Sequence, residues 1–189
     1  MSPFRKTLLV LMLCGAVPTA APAVFRLADT PTYQVDATTL DLRVDDPRPK
    51  EYPEVGHRAA VTYEDATRAW ASRRFQLNGN SVNTLRISLN EGRVTEKILP
   101  IQKGLKGWFK KEQSTAYDAA LGLTVAIVDP NGKVLASADG KAWHTLTMVE
   151  GTTPEQKQEA WVDMIATTFD NLDREMGAQL TRNLGSYIH

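Results

Sequence analysis

The chain has 189 residues, with 22 Lys and Arg balanced by 22 Asp and Glu, 42% hydrophobic residues and a single cysteine. That length is enough for one domain with a real core, and the composition is that of an ordinary globular protein. A formal net charge of zero argues against a protein held on phosphate backbones, so nucleic acid is not an expected partner.

The first residues, MSPFRKTLLVLMLCGAVPTAAPAV, place Arg5 and Lys6 before an apolar run from Thr7 to Val17 and a small-residue stretch ending at Ala23. This is the layout of a secretory signal peptide over residues 1–23. Eleven apolar residues fall short of the ~20 that a membrane-spanning helix needs. Cleavage after Ala23 is the first expectation and removes two cations and no acid. Cys14 offers an alternative, lipid attachment, although enzymes that process lipoproteins favour a small residue where this chain has Leu13. An uncleaved anchor is the third reading. In any of them the chain has too few cysteines for an internal disulfide, and the expected location is the periplasm, free or anchored to a membrane.

Residues 24–36 have no sustained period and are expected to lead into a single domain over 37–189. Leu40, Leu42 and Val44 alternate with polar residues as in a half-buried strand. Pro47, Pro49 and Pro53 then disfavour regular structure. Thr62, followed by Tyr63-Glu64-Asp65, reads as a helix N-cap; Ala66, Ala69, Trp70 and Phe75 would form the packed stripe, and Gly79 the stop. Leu85, Ile87 and Leu89 predict a second strand, Asn90-Glu91-Gly92 a turn, and Val94 and Ile98 a short further strand.

Leu121, Leu123, Val125 and Ile127, then Asp129-Pro130-Asn131-Gly132, then Val134, Ala136 and Ala138 predict a long antiparallel hairpin. Trp143, Thr145 and Thr147 continue its return. Thr153-Pro154-Glu155-Gln156 opens a final helix whose apolar residues recur from Trp161 to Leu184, with Gly185 as its C-cap. At 1.5 Å per residue such a helix runs roughly 46 Å, against about 27 Å for an eight-residue strand, so it is expected to overhang the sheet. The predicted class is α+β, a two-layer sandwich with a mainly antiparallel sheet and two helices on one face, in the order β-α-β-β-β-β-α.

Little in the chain carries chemistry. His57, His144 and His189 are scattered without metal-ligand spacing, and there is no GxSxG, HExxH, phosphate loop or CxxC. No metal, cofactor or catalytic residue is assigned. Asp129 to Gly132 has oxygens of the kind calcium takes but reads fully as a turn, and Arg73-Arg74 suits a helix C-terminus by its dipole alone. The stretch IQKGLKGWFKKEQ stands apart: Lys103, Leu105, Lys106, Trp108, Phe109, Lys110 and Lys111 combine cations with aromatics as an interfacial segment does. They are the candidate residues for contact with a membrane or a protein partner, against a plainer reading in which the aromatics pack under the sheet.

The order of elements behind an export signal resembles small bacterial envelope lipoproteins of the LPS-assembly and ABC-transport-auxiliary type. The stretches YEDATRAWASRRF, KGLKGWF, AYDAALGLTVAIVD and LDREMGAQLTRNL are similar to a group of uncharacterised exported proteobacterial proteins over about residues 38–184. This resemblance implies a two-layer α/β domain and supplies no catalytic residue. The expected function is that of a non-catalytic cell-envelope accessory, docking to a membrane-associated assembly or transport partner. The alternatives are a soluble periplasmic hydrolase or a small-ligand-binding protein, and a homodimer through the C-terminal helix is a further possibility for assembly. A pocket with convergent carboxylate, His and Ser would favour the hydrolase, an exposed apolar patch the accessory.

Overall fold

The computed structural model describes residues 25–46, 51–100 and 113–189. The elements in chain order are β1 (Tyr33–Val35), β2 (Thr39–Val44), a 3₁₀ turn (Gly56–Arg58), α1 (Tyr63–Arg74), β3 (Phe75–Leu77), β4 (Thr84–Ile98), β5 (Gln113–Val128), β6 (Val134–Val149) and α2 (Pro154–Leu184). A four-stranded sheet runs β2-β4-β5-β6, and β1 and β3 form a two-stranded parallel ribbon. The pair β2-β4 is parallel and the other two pairs of the main sheet are antiparallel. The chain is thus an α+β fold whose sheet is mainly antiparallel, as the alternation of apolar residues predicts.

The β5-β6 hairpin carries the sheet because its sequence alternates throughout. Leu121, Leu123, Val125 and Ile127 are all buried and face Ala142, Gly140, Ala138 and Ala136 across the ladder. At the turn the Asp129 carboxylate accepts from the Asn131 and Lys133 N–H groups (2.9 and 2.8 Å), and Gly132 takes φ 86°, a value that suits glycine. The small residues of β6 leave room for α2, which buries Trp161, Ile165, Phe169, Leu172, Met176, Leu180 and Leu184. On the opposite face of the sheet Trp143 stands 66% exposed. Along the outer strand, Asn171 and Asn183 of α2 donate to the carbonyls of Trp143 and Ser137, occupying acceptors that an edge strand otherwise offers to other chains.

Several expectations change. First, α1 stops at Arg74, five residues before Gly79, because Phe75 enters β3 at once: its ring stacks on Tyr33 and meets Trp70 edge-on. Second, Ala69 is exposed, so the packed face is Tyr63, Ala66 and Trp70. Third, Asn90-Glu91-Gly92 is no turn. It is a bulge between Leu89 and Glu91 within one continuous strand, since one extra residue bends a strand without ending its pairing. Fourth, α2 has 31 residues but β5 and β6 have 16 each, about 54 Å at ~3.4 Å per residue, so the helix does not overhang. Residues 33–35, within the stretch read as a leader, form β1, and Val35 is fully buried.

Both helices start where the capping sequence predicts. Thr62 and Thr153 each accept from the backbone of the third helical residue, whose side chain returns to the cap backbone. Such a reciprocal pair satisfies two of the N–H groups that a helix start leaves without partners. A buried link joins the two helices: Asp173 of α2 lies 2.8 Å from Arg74 Nε, both side chains nearly inaccessible, and accepts from the Trp70 indole. The Arg74 guanidinium also sits over the Tyr33 ring and donates to the Pro31 carbonyl. Among the described residues, no helix is long and apolar enough to cross a membrane.

Candidate functional site

The edge of the sheet formed by β4 is covered in two instalments. β2 runs beside residues 84–89, and Glu54 bridges antiparallel to Thr95, with Val55 donating to the Val94 carbonyl and Glu96 to the Pro53 carbonyl. Between them, at residues 90–93, no described strand pairs with β4 on this side. The bulge falls at this gap, where bulges commonly re-aim a strand beside functional sites. The result is a cleft of about 400 Å³ walled by Val44, Leu89, Tyr52, Pro53, Tyr63 and Gly92, with Glu54, His57 and Arg93 among its polar groups. Its size is within the ~300–1,000 Å³ of small-ligand pockets.

Two glycines let the wall close. A Cβ on Gly92 would lie 2.7 Å from the Tyr63 Cβ, and one on Gly56 would lie 2.7 Å from Glu54 Oε1. Gly92 therefore requires the bare backbone, whereas a side chain at Gly56 would push the Glu54 carboxylate off its backbone donors. Tyr63, at the first turn of α1, is buried and its ring tilts against Phe169 of α2. Burial pushes its hydroxyl pKa up, so it is a neutral wall and not an acid.

Carboxylates stand in for the missing strand. The Gly92 N–H donates to Asp46 Oδ2 (3.0 Å). Glu54 Oε1 accepts from the N–H groups of Gly56 (2.6 Å) and Val94 (3.3 Å), while its Oε2 lies 2.7 Å from His57 Nδ1. A carboxylate held by two backbone donors fixes the imidazole opposite it, and in the neutral ring an ionised Glu54 places the proton on Nδ1 and leaves Nε2 an acceptor. Arg93 donates from Nε to Glu91 (2.9 Å) and from Nη1 to Thr95 (3.1 Å). The hydroxyl of Thr62, also in the wall, donates to Asp65 (2.6 Å).

Of the residues singled out from sequence, Lys103, Leu105, Lys106, Trp108, Phe109, Lys110 and Lys111 lie outside the described residues, as do Cys14 and the whole segment 1–23. His144 is half-buried on the inner face of β6, opposite Ala119, and His189 meets Asp36 at 3.3 Å. His57 is the histidine that sequence reasoning passed over. Its only local signal was a glutamate three positions earlier in a loop rich in proline and glycine. The cleft supplies the carboxylate and the imidazole named as marks of a hydrolase, with threonines and no serine among its described lining. No group of three or more metal-ligating side chains occurs among the described residues.

No family model and no curated protein sequence matches the chain. Among solved structures it is similar to a minor lipoprotein from Acinetobacter baumannii, at 14% identity and a TM-score of 0.41, covering 77% of this chain and 92% of that one. It is also similar to a protein from Xanthomonas campestris of the DUF330 family, at 12% identity and a TM-score of 0.37, covering 86% of this chain and 98% of that one. With TM-scores of this size, the strand order and the cleft are read from the chain's own residues.

Proposed function

We propose that the chain is an exported, non-catalytic accessory protein of the cell envelope, serving a membrane-associated assembly or transport partner by holding a ligand or partner group in the β4 cleft. The observation that carries this reading is the gap in the sheet edge. It creates a concave site with an apolar floor, and the two threonine hydroxyls in its wall, those of Thr62 and Thr95, are each engaged by a charged side chain, an arrangement suited to holding rather than attacking. The lysine-aromatic stretch from Lys103 to Lys111, which joins β4 to β5 in the sequence, is a second candidate surface for the same partner or for an anionic membrane.

Photo-crosslinking tests the reading. A crosslinker at Tyr52, exposed at the cleft wall, is expected to capture an envelope component that Val44→Trp prevents, while the same crosslinker at Lys133 on the hairpin tip captures none. Equal capture from both positions would overturn the proposal.

One observation favours a second reading. The Glu54–His57 pair has the geometry of a general base that could activate water, which would make the cleft a hydrolytic site. Turnover of p-nitrophenyl esters by the purified protein, abolished by His57→Ala, would replace the binding reading with this one.

A further inference from the structure

The backbone and guanidinium donors in the cleft wall are largely committed. Gly92 N–H is given to Asp46, Gly56 and Val94 N–H to Glu54, and two of the three Arg93 nitrogens to Glu91 and Thr95. Acceptors dominate what is left. His57, held at Nδ1, presents Nε2, and the carboxylates of Glu51 and Glu64 face the same space, Glu64 also meeting Arg68 at 3.3 Å. By charge, the described lining has four carboxylates, Asp46, Glu51, Glu54 and Glu64, against one guanidinium and one imidazole.

We infer that the ligand of this cleft is a primary amine carried on an apolar body, an inference that rests on the binding reading above. An ammonium group has three donors and no acceptor, so it answers the surplus of acceptors where a hydroxyl answers it in part and a carboxylate not at all. Hydrogen bonds to an ionised group are about twice as strong as neutral ones, and the low-dielectric floor of Val44, Leu89 and Pro53 screens the attraction less than open water does. The same floor takes the alkyl or aryl body. His57 is then a specificity-determining residue: in its neutral form its Nε2 reads a donor in the cleft.

The test uses the exported protein purified from cells expressing the full sequence, titrated calorimetrically with n-octylamine, n-octanol and n-octanoate below their aggregation limits. Octylamine is expected to bind at one site per chain, about tenfold or more tighter than octanol, with octanoate weakest. Glu51→Gln and His57→Phe should each erode the preference for the amine, and Val44→Trp should abolish binding of all three while leaving the unfolding midpoint unchanged. Equal binding of octylamine and octanol, or a preference for octanoate, with either lost in Val44→Trp, would overturn the amine inference and leave the cleft as a binding site. Failure of all three to bind, or binding indifferent to Val44→Trp, would overturn both.

Discussion

Met176 of α2 lies directly on the bare backbone of Gly140 in β6: a Cβ added at Gly140 would overlap both the Met176 Cγ and its sulfur, and would touch Leu172. The helix reaches the hairpin at this point because a strand residue has no side chain. Gly140→Ala is therefore expected to destabilise the fold by about 1–3 kcal/mol, the usual cost of overpacking, in spite of alanine's lower entropy cost. Chemical denaturation would show it as a lower midpoint with an unchanged slope. Combining it with Met176→Ala should cost less than the two changes separately, since one removes the atoms that the other collides with.

Gly177, one position along the helix, gives the opposite expectation. A Cβ there meets nothing within 4 Å, and the residue is inside a continuous helix. Gly177→Ala should stabilise the protein by up to ~1 kcal/mol, the difference in helix propensity, and raise the thermal midpoint. A lower midpoint would mean that the helix surface at this point is covered by something not seen in the chain alone.

The Arg74–Asp173 pair is buried on both sides, so removing one partner leaves a charge without compensation. Asp173→Leu is expected to cost about 3–5 kcal/mol. The double variant Arg74→Met/Asp173→Leu should recover much of that loss, because apolar groups of similar volume can replace a buried ion pair. Urea midpoints of the three variants would check both statements.

Acid should weaken the fold through its capping and clasp carboxylates. The Thr62 hydroxyl and backbone N–H hold Asp65 below its ordinary value of 3.8, and the Asn78 amide and His189 hold Asp36 below the same value. A carboxyl whose pKa is lower in the folded state than in the unfolded one stabilises the fold fully above the unfolded value. That contribution is lost as pH falls from 3.8 through the lower folded pKa. Asp65→Asn should accordingly flatten the acid limb of a stability profile measured from about pH 6 to about pH 2. A profile as steep as that of the unaltered chain would count against the assignment.

Much of the fold was legible because it rests on local periodicity. The α2 stripe, both N-caps and the β5-β6 alternation are each properties of residues near one another in the chain, and each stands where the pattern puts it. The end of α1 was not legible in this way. Gly79 is a good stop signal, yet Phe75 leaves the helix four residues earlier because Tyr33, 42 positions away, offers its ring a partner. Nor was the Asn90-Glu91-Gly92 bulge, since those residues suit a turn as well, and only the pairing of β4 with β5 on both sides of it decides between the two.

The cleft lies at the same divide. By itself the sequence determined the alternating strands and the capped helices, because these depend on the spacing of neighbouring residues and the composition of short stretches. Only the tertiary structure decided that β2 and Glu54 would cover β4 in two pieces, leaving residues 90–93 open, and that a glutamate and a histidine in a proline-rich loop would meet there over Gly56. A site made by a gap between distant segments has no period, and the glycines that close it, Gly92 under Tyr63 and Gly56 beside Glu54, are marked by the absence of a side chain that only a neighbour in space makes necessary.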